Sequence, residues 1–459
     1  MPGVPSGRGC EACRKQKKKA SWPTQTKQRS SDQSGRFSVT NCSLRARDAR
    51  GFRSSSLQVR RPPGGRQPSS IPWQGATLQQ LLHKPSNEMT HLTSALIGKL
   101  DASDDIRYHL CWTYGDYLGD IPKRLGTNEA LDTAVAALIS AHSCLGPRPG
   151  KFATPESIQK YGHALMALRI LLDNPVRARE PETLCAVMLL MICQSFIGVH
   201  RGRLAGHGEG AAQILKARAF FRTQDLFERK LIFTLRGPVL FEALINPRIC
   251  LSAEDWNLLV ANDFDEPNDE SQMIRCLAHL PGLMDRGKTA LREHTDVQHV
   301  VLETRQYYGM LKVITQNFKN TLHTIQQAQV DGNSPSPKLL QKAHAWYQRS
   351  HGLALGICII FNCVLEALEP NDIELDIEAQ SFCDSILVLA DEAAIYRPLG
   401  ASYVPICLAA AWCGSKDEIT RAIIEAVLVD YGSDFTEQYV ETLASELQYA
   451  SLRLSLLDP

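Results

Sequence analysis

Between Thr154 and Pro175 apolar residues return at a helical interval. In TPESIQKYGHALMALRILLDNP, Ile158, Tyr161, Leu165, Leu168 and Leu172 are spaced three and four apart and make one stripe. Thr154 is placed to cap the N-terminus, Pro155 suits the first helical position, and Glu156 complements the helix dipole. Asp173-Asn174-Pro175 ends the pattern. The segment TLCAVMLLMICQSFIGV (183–199) is apolar on nearly every face. It is short for a bilayer span and carries Gln194 and Ser195, so it predicts a core helix at the centre of a bundle. Ser252 and Asp255, in LSAEDWNLLV, have the spacing of a capping box before another helix. After a loop, DGNSPSPK (331–338), a long helical pattern runs from Leu339 to about Leu368. Further helices are predicted near 376–395, 403–413, 416–431 and 435–456. Strand-like alternation and fixed-period repeats do not occur. The expectation is one all-α body over 86–459, a large helical bundle or array, with a division near the 331–338 loop as the alternative.

Residues 21–85 have another texture. Ser, Arg, Gln, Gly and Pro dominate, as in RRPPGGRQPSSIPWQG (60–75). The scattered large residues, among them Trp22, Phe37, Val39, Leu44 and Phe52, follow no period. Such a segment buries too little surface to offset its ordering entropy, so it is expected to be a disordered basic linker. Composition adds an asymmetry. The 459 residues carry a net charge of only +1, but residues 1–70 hold 16 Lys and Arg against 3 Asp and Glu, leaving 34 against 46 in the rest. A basic arm on an acidic body favours phosphate polyanions as partners. Of the 14 cysteines, Cys185, Cys193, Cys358, Cys363, Cys407 and Cys413 lie in apolar runs, where a free thiol behaves as a small hydrophobe. With no apolar leader at its start, the chain is expected in a reducing compartment, cytoplasm or nucleus, without a membrane partner.

The densest chemistry is at the beginning, in GRGCEACRKQKKKA (7–20). Cys10 and Cys13 are spaced to fill half of a tetrahedral zinc shell, and Arg14, Lys15, Lys17, Lys18 and Lys19 follow at once. The stretch resembles the start of the fungal zinc-binuclear-cluster transcription factors, in which six cysteines hold two zinc ions. Cys10 and Cys13 match the first two ligands. Arg14 to Lys19 match the basic segment that, in the family, lies on a short helix at the major groove and contacts bases and phosphates. Ala20 stands where the third ligand belongs, and the only later cysteine of the arm is Cys42. Residues 1–20 therefore read as a remnant of the DNA-binding module, four ligands short. The match ends within one residue, as a mis-spliced or out-of-frame exon would leave it; genuine loss of the cluster is the rival account. The same five cations also suit a nuclear-import signal.

The body resembles the all-α regulatory domain of the same family. The likeness is carried by residues 86–142, by HGEGAAQILKARAFF (207–221) with its H-x-x-G-A helix start, and by RGPVLFEALINPRICLSAEDW (236–256). The resemblance implies a nuclear, non-enzymatic transcriptional regulator. It implies zinc as cofactor, DNA as partner, homodimerisation in many members, and a small effector or a transcriptional co-regulator acting on the body. No heptad run between 21 and 85 supplies the coiled coil that often follows the cluster. An all-α interaction protein without DNA binding is the alternative.

Other candidates have plainer explanations. His207, Gly208 and Gly210 are expected to cap a helix and allow close packing. GRLAGHGEGA (202–211) lacks dinucleotide-binding spacing, and no phosphate-cradling loop or H-E-x-x-H occurs. Asp104-Asp105 reads as a solvated acidic pair. Trp112, Trp256, Trp346 and Trp412 are expected to anchor the core or helix contacts.

Overall fold

The computed structural model describes residues 87–101, 105–145, 153–197, 207–219, 225–246, 248–249, 251–260, 268–330, 337–435 and 439–457. Every extended element among them is a helix, as the apolar spacing predicts. The first eight α-helices are α1 (Glu88–Asp101), α2 (Leu110–Tyr114), α3 (Glu129–His142), α4 (Pro155–Leu172), α5 (Pro181–Ile197), α6 (His207–Ala219), α7 (Leu226–Ile245) and α8 (Ala253–Val260). Seven more follow: α9 (Asp269–Glu293), α10 (Val297–Val330), α11 (Pro337–Leu368), α12 (Ile373–Ala393), α13 (Val404–Gly414), α14 (Glu418–Gly432) and α15 (Tyr439–Leu454). Residues 85–459 form one compact unit, and α10 and α11, on either side of the 331–336 segment, pack against each other.

Helix starts follow local chemistry. Thr154 caps α4, its hydroxyl accepting from Ser157 N at 3.1 Å, with Pro155 in the first turn. Asn128 caps α3 by accepting from Leu131 N, while its amide donates to Glu180 Oε2 at 2.7 Å and Thr183 Oγ1 at 3.1 Å. One buried side chain thus sets the start of α3 against the start of α5. The capping box of α8 is reciprocal: Asp255 N donates to Ser252 Oγ at 3.1 Å, and Ser252 N to Asp255 Oδ2 at 2.9 Å. Burial raises the Asp255 carboxyl, but Lys216 Nζ at 2.7 Å and the Ser252 donors hold it below the usual value on balance.

In the first half, α3, α4 and α5 pack on one another. Every residue of α5 from Thr183 to Leu190 is buried, which makes it the core helix its composition predicts. The stripe of α4 is turned from the expected one. Its buried face is Ser157, Tyr161, Ala164, Ala167, Leu168 and Leu171, whereas Ile158 is 48% exposed and Leu165 and Leu172 are half-buried. The facing helix α3 contributes Ala130, Ala134, Ala137 and Ala141 to the core. Small residues on both helices allow close approach, and that contact outweighs the burial of Ile158.

The second half is arranged around α11, which packs against α9, α10, α12, α13 and α15. All residues from Ala354 to Leu365 are buried. By length and composition α11 would suit a membrane, but most of its apolar stretch is covered by protein. A Cβ on Gly414 would run into Ile359, so α13 reaches α11 only because that position lacks a side chain. The tryptophans divide. Trp256 is buried, and half-buried Trp412 donates to Glu425 Oε1 at 2.8 Å. Trp346, 39% exposed, serves a helix contact and not the core: it stacks on Arg349, whose guanidinium carbon lies 4.2 Å from its ring centre and 5.2 Å from that of Trp112.

Asn362 is a polar residue inside the apolar part of α11. Its amide donates to Leu375 O at 2.9 Å and to Tyr308 Oη at 3.3 Å, and Tyr308 in turn donates to Glu378 Oε2 at 2.6 Å. This chain fixes α10, α11 and α12 in register. Asn362→Leu keeps the branched shape but removes both hydrogen bonds, so it is expected to lower the unfolding free energy by about 1–3 kcal/mol in chemical denaturation; an unchanged midpoint would show that these hydrogen bonds contribute no net stability.

Candidate functional site

The metal and DNA-binding candidates, Cys10, Cys13, Arg14, Lys15, Lys17, Lys18 and Lys19, lie outside the described residues, as do Cys42 and the 21–85 linker. Among the described residues no group of three or more His, Cys, Asp or Glu side chains is arranged to hold a metal ion. Asp104 is likewise outside the described residues. Asp105 caps a short 3₁₀ turn, accepting from Arg107 N at 3.0 Å, and pairs with the Arg107 guanidinium at 2.7 Å.

The H-x-x-G-A segment opens α6 at His207, and Ala211, Ala212 and Leu215 enter the core. Its two glycines differ. A Cβ on Gly208 would collide with the Glu242 carboxylate of α7, whereas Gly210 has open space and serves no close packing. Glu242 therefore rests against the positive end of α6. Burial raises its carboxyl above the usual range, opposed by the hydrogen bond from Asn246, and nearby Glu209 raises it further. Asn246 Nδ2 is shared between Glu242 Oε1 at 3.3 Å and Glu209 Oε1 at 3.4 Å. The geometry here is that of a helix joint, in which packing and polar groups match one another.

A second place has unused capacity. A groove of about 840 Å³ lies along α10, α11 and α12, within the roughly 300–1,000 Å³ range of small-molecule sites. Gln348 and His351, one helical turn apart on α11, form part of its lining. Lys319 and Leu322 come from α10, and Ile377, Asp384, Val388 and Glu392 from α12. Gln348 is only 1% exposed. Its Nε2 donates to Glu392 Oε2 at 3.2 Å, but its Oε1 is buried without a hydrogen-bond partner. An acceptor in that state costs about 1–3 kcal/mol of desolvation that a donor would recover.

Charge around the groove is uneven. Asp376 is held by Lys416 Nζ at 2.6 Å, and Asp384 accepts from Gln380 Nε2 at 2.8 Å. Glu392 and Asp384 are exposed, as is Lys319 on the opposite wall. Burial, followed by repulsion from Lys319, pushes the His351 imidazole down to about 4. His351 is then uncharged at neutral pH and can act as a donor or an acceptor. Spacing along the sequence does not single these residues out. The one local signal is the polar run Gln348, Arg349, Ser350, His351, which lies just before the apolar stretch of α11.

No family profile, curated protein or solved structure matches the chain.

The depressed His351 value has a consequence for stability. Its folded-state value of about 4 lies below the ordinary 6.5, so between these values the unfolded chain binds the extra proton. The stabilisation from keeping His351 neutral is present above pH 6.5 and is lost as pH falls toward 4. His142, His279 and His344 are lowered by burial too and contribute with the same sign. His351→Gln should reduce, without abolishing, the fall in urea midpoint between pH 6.5 and pH 4.5. An identical fall in both proteins would place His351 in a solvent-like environment.

Proposed function

We propose that the chain is a nuclear, non-enzymatic transcriptional regulator related to the zinc-cluster factors, with residues 86–459 as its regulatory body. The observation that carries this reading is the joint presence of two parts in one chain. Cys10-x2-Cys13 leads directly into Arg14, Lys15, Lys17, Lys18 and Lys19, and the region that resembles the family's regulatory domain is an all-α unit. The H-x-x-G-A segment supports the same reading by starting a helix at His207. The five cations suit both nuclear import and contact with DNA phosphates.

The donor set does not fit a two-zinc cluster. Cys10, Cys13 and Cys42 supply at most three thiolates where the family uses six, and bridged binuclear ligation needs the full set. DNA affinity of the chain as it stands is therefore assigned to the basic arm, through phosphate contacts and without base-specific discrimination. The missing ligands favour a second reading, an all-α protein that acts through partner proteins and has no DNA role.

Elemental analysis and DNA titration separate these readings. The full chain is expected to lack stoichiometric paired zinc and to bind duplex DNA with little sequence preference and steep salt dependence. Replacing Lys17, Lys18 and Lys19 by Gln should flatten the log–log salt slope by up to ~0.9 for each phosphate that the arm no longer neutralises. No binding at low salt would favour the partner-protein reading. Near two zinc ions per chain with tight, sequence-selective binding would overturn the ligand count.

A further inference from the structure

We propose that the groove along α10, α11 and α12 binds a small organic monocation with an N–H donor head and an apolar flank. The inference goes beyond the DNA-binding reading and does not depend on it. Its starting point is the buried Gln348 Oε1, an acceptor without a donor in the lining of a cavity large enough for a small molecule. The group that completes it must donate, and an ammonium or guanidinium N–H does so most strongly.

The charge balance selects the sign. Asp376 shares Lys416 with Glu366, and the other lining carboxylates, Asp384 and Glu392, face one lining lysine, Lys319. His351, held neutral by burial, adds no positive charge at pH 7. The lining carboxylates outnumber the lining lysine, which suits a cation better than an anion. Glu392 is also the right carboxylate in the right place. It accepts from Gln348 Nε2 at 3.2 Å, so a head group at the Gln348 amide meets its carboxylate as well. Leu322 on one wall and Ile377 and Val388 on the other supply apolar surface for the flank, and the last two are 65% and 61% exposed without it. Covering them removes apolar area from water and adds to the polar contacts.

Calorimetry on the full chain at pH 7, without DNA, tests the proposal with tyramine, phenethylamine and hexylamine. The analogues 4-ethylphenol and 3-(4-hydroxyphenyl)propionate, which carry a neutral and an anionic end, are the controls. At least one amine should bind saturably at one site, with both controls about tenfold weaker or worse, as expected for loss of a charged hydrogen bond. Glu392→Gln, at an exposed position, should weaken the amine about tenfold, and Gln348→Leu should do the same with helicity retained by circular dichroism. Glu254→Gln, on α8 and outside the groove lining, should change nothing.

Equal affinity of tyramine and 4-ethylphenol would overturn the cationic assignment. Equal weakening by Glu392→Gln and Glu254→Gln would reduce the effect to general attraction by an acidic body. No saturable binding of any of the three amines would overturn the proposal and leave Gln348 Oε1 a buried acceptor without a donor. None of these results alters the zinc or salt measurements, so the two readings fail separately.

Discussion

The second half of the fold depends on the burial of α11. From Ala354 to Leu365 the helix is covered on all sides, so each neighbour must bring an apolar face to it. That requirement explains why α10, α12 and α13 carry buried stripes of their own. Tyr308, Leu311, Ile314 and Phe318 point inward from α10, Leu375, Ala379, Cys383 and Ile386 from α12, and Val404, Cys407, Leu408 and Ala411 from α13. The thiols belong to the same interior. Burial raises Cys407 and Cys363 far above the usual range and Cys358 to about 12, so they pack as small hydrophobes and not as nucleophiles.

A helix buried on every side tolerates polar groups only where partners meet them. Asn362 has Leu375 O and Tyr308; Ser350 donates to Glu270; His344 lies 3.3 Å from Tyr396 Oη. Ion pairs then fasten the ends of the neighbours. Arg305 reaches Glu369 and Asp372 at 2.6 Å, tying α10 to the turn between α11 and α12, and Arg397 grips Asp430 and Asp434 beside α14. These pairs are partly exposed, so their contribution to stability is small compared with the apolar packing; they chiefly select one arrangement. Arg349 is a different case. Burial lowers its guanidinium from the usual value, and its positions over the Trp112 and Trp346 rings replace part of its missing hydration. Through that stack α2 is held to the N-terminal part of α11.

How much of this is legible in the sequence varies with the physics involved. Helix existence is, because apolar spacing, Thr154-Pro155 and the Ser252–Asp255 box are local signals. Which face is buried is less so. Residue size places the stripe of α4 along Ile158 and Leu165, whereas the structure places it by fit, with Ser157 and Ala164 inward and Ile158 outward. The area of Trp346 argues for the core or a helix contact without choosing between them, and its flat face is used against a cation. The groove is barely legible. Gln348 and His351 are ordinary polar residues in a chain read linearly, and only the packing of three consecutive helices encloses them. Cys10 to Lys19 is the reverse case: its chemistry is written in adjacent residues, and Ala20 shows equally locally where the pattern ends.

The orphan acceptor of Gln348 stands apart because α11 otherwise leaves so little unmet. Leucine or methionine at that position would bury more apolar surface and leave no acceptor to satisfy, at similar volume. A glutamine there is costly in the empty groove and favourable only when a donor arrives. A group that binds the folded chain and not the unfolded one stabilises it in proportion to its occupancy. In this geometry the stabilisation falls on the contact between α11 and α12, since Gln348 and Glu392 lie on opposite sides of it. The inner face of α12 is also joined to α13, where Cys383 Sγ lies 3.2 Å from Ala411 O. Occupancy of the groove would thus tighten a helix that belongs to the same packed layer as the core, which gives a small molecule purchase on the body as a whole.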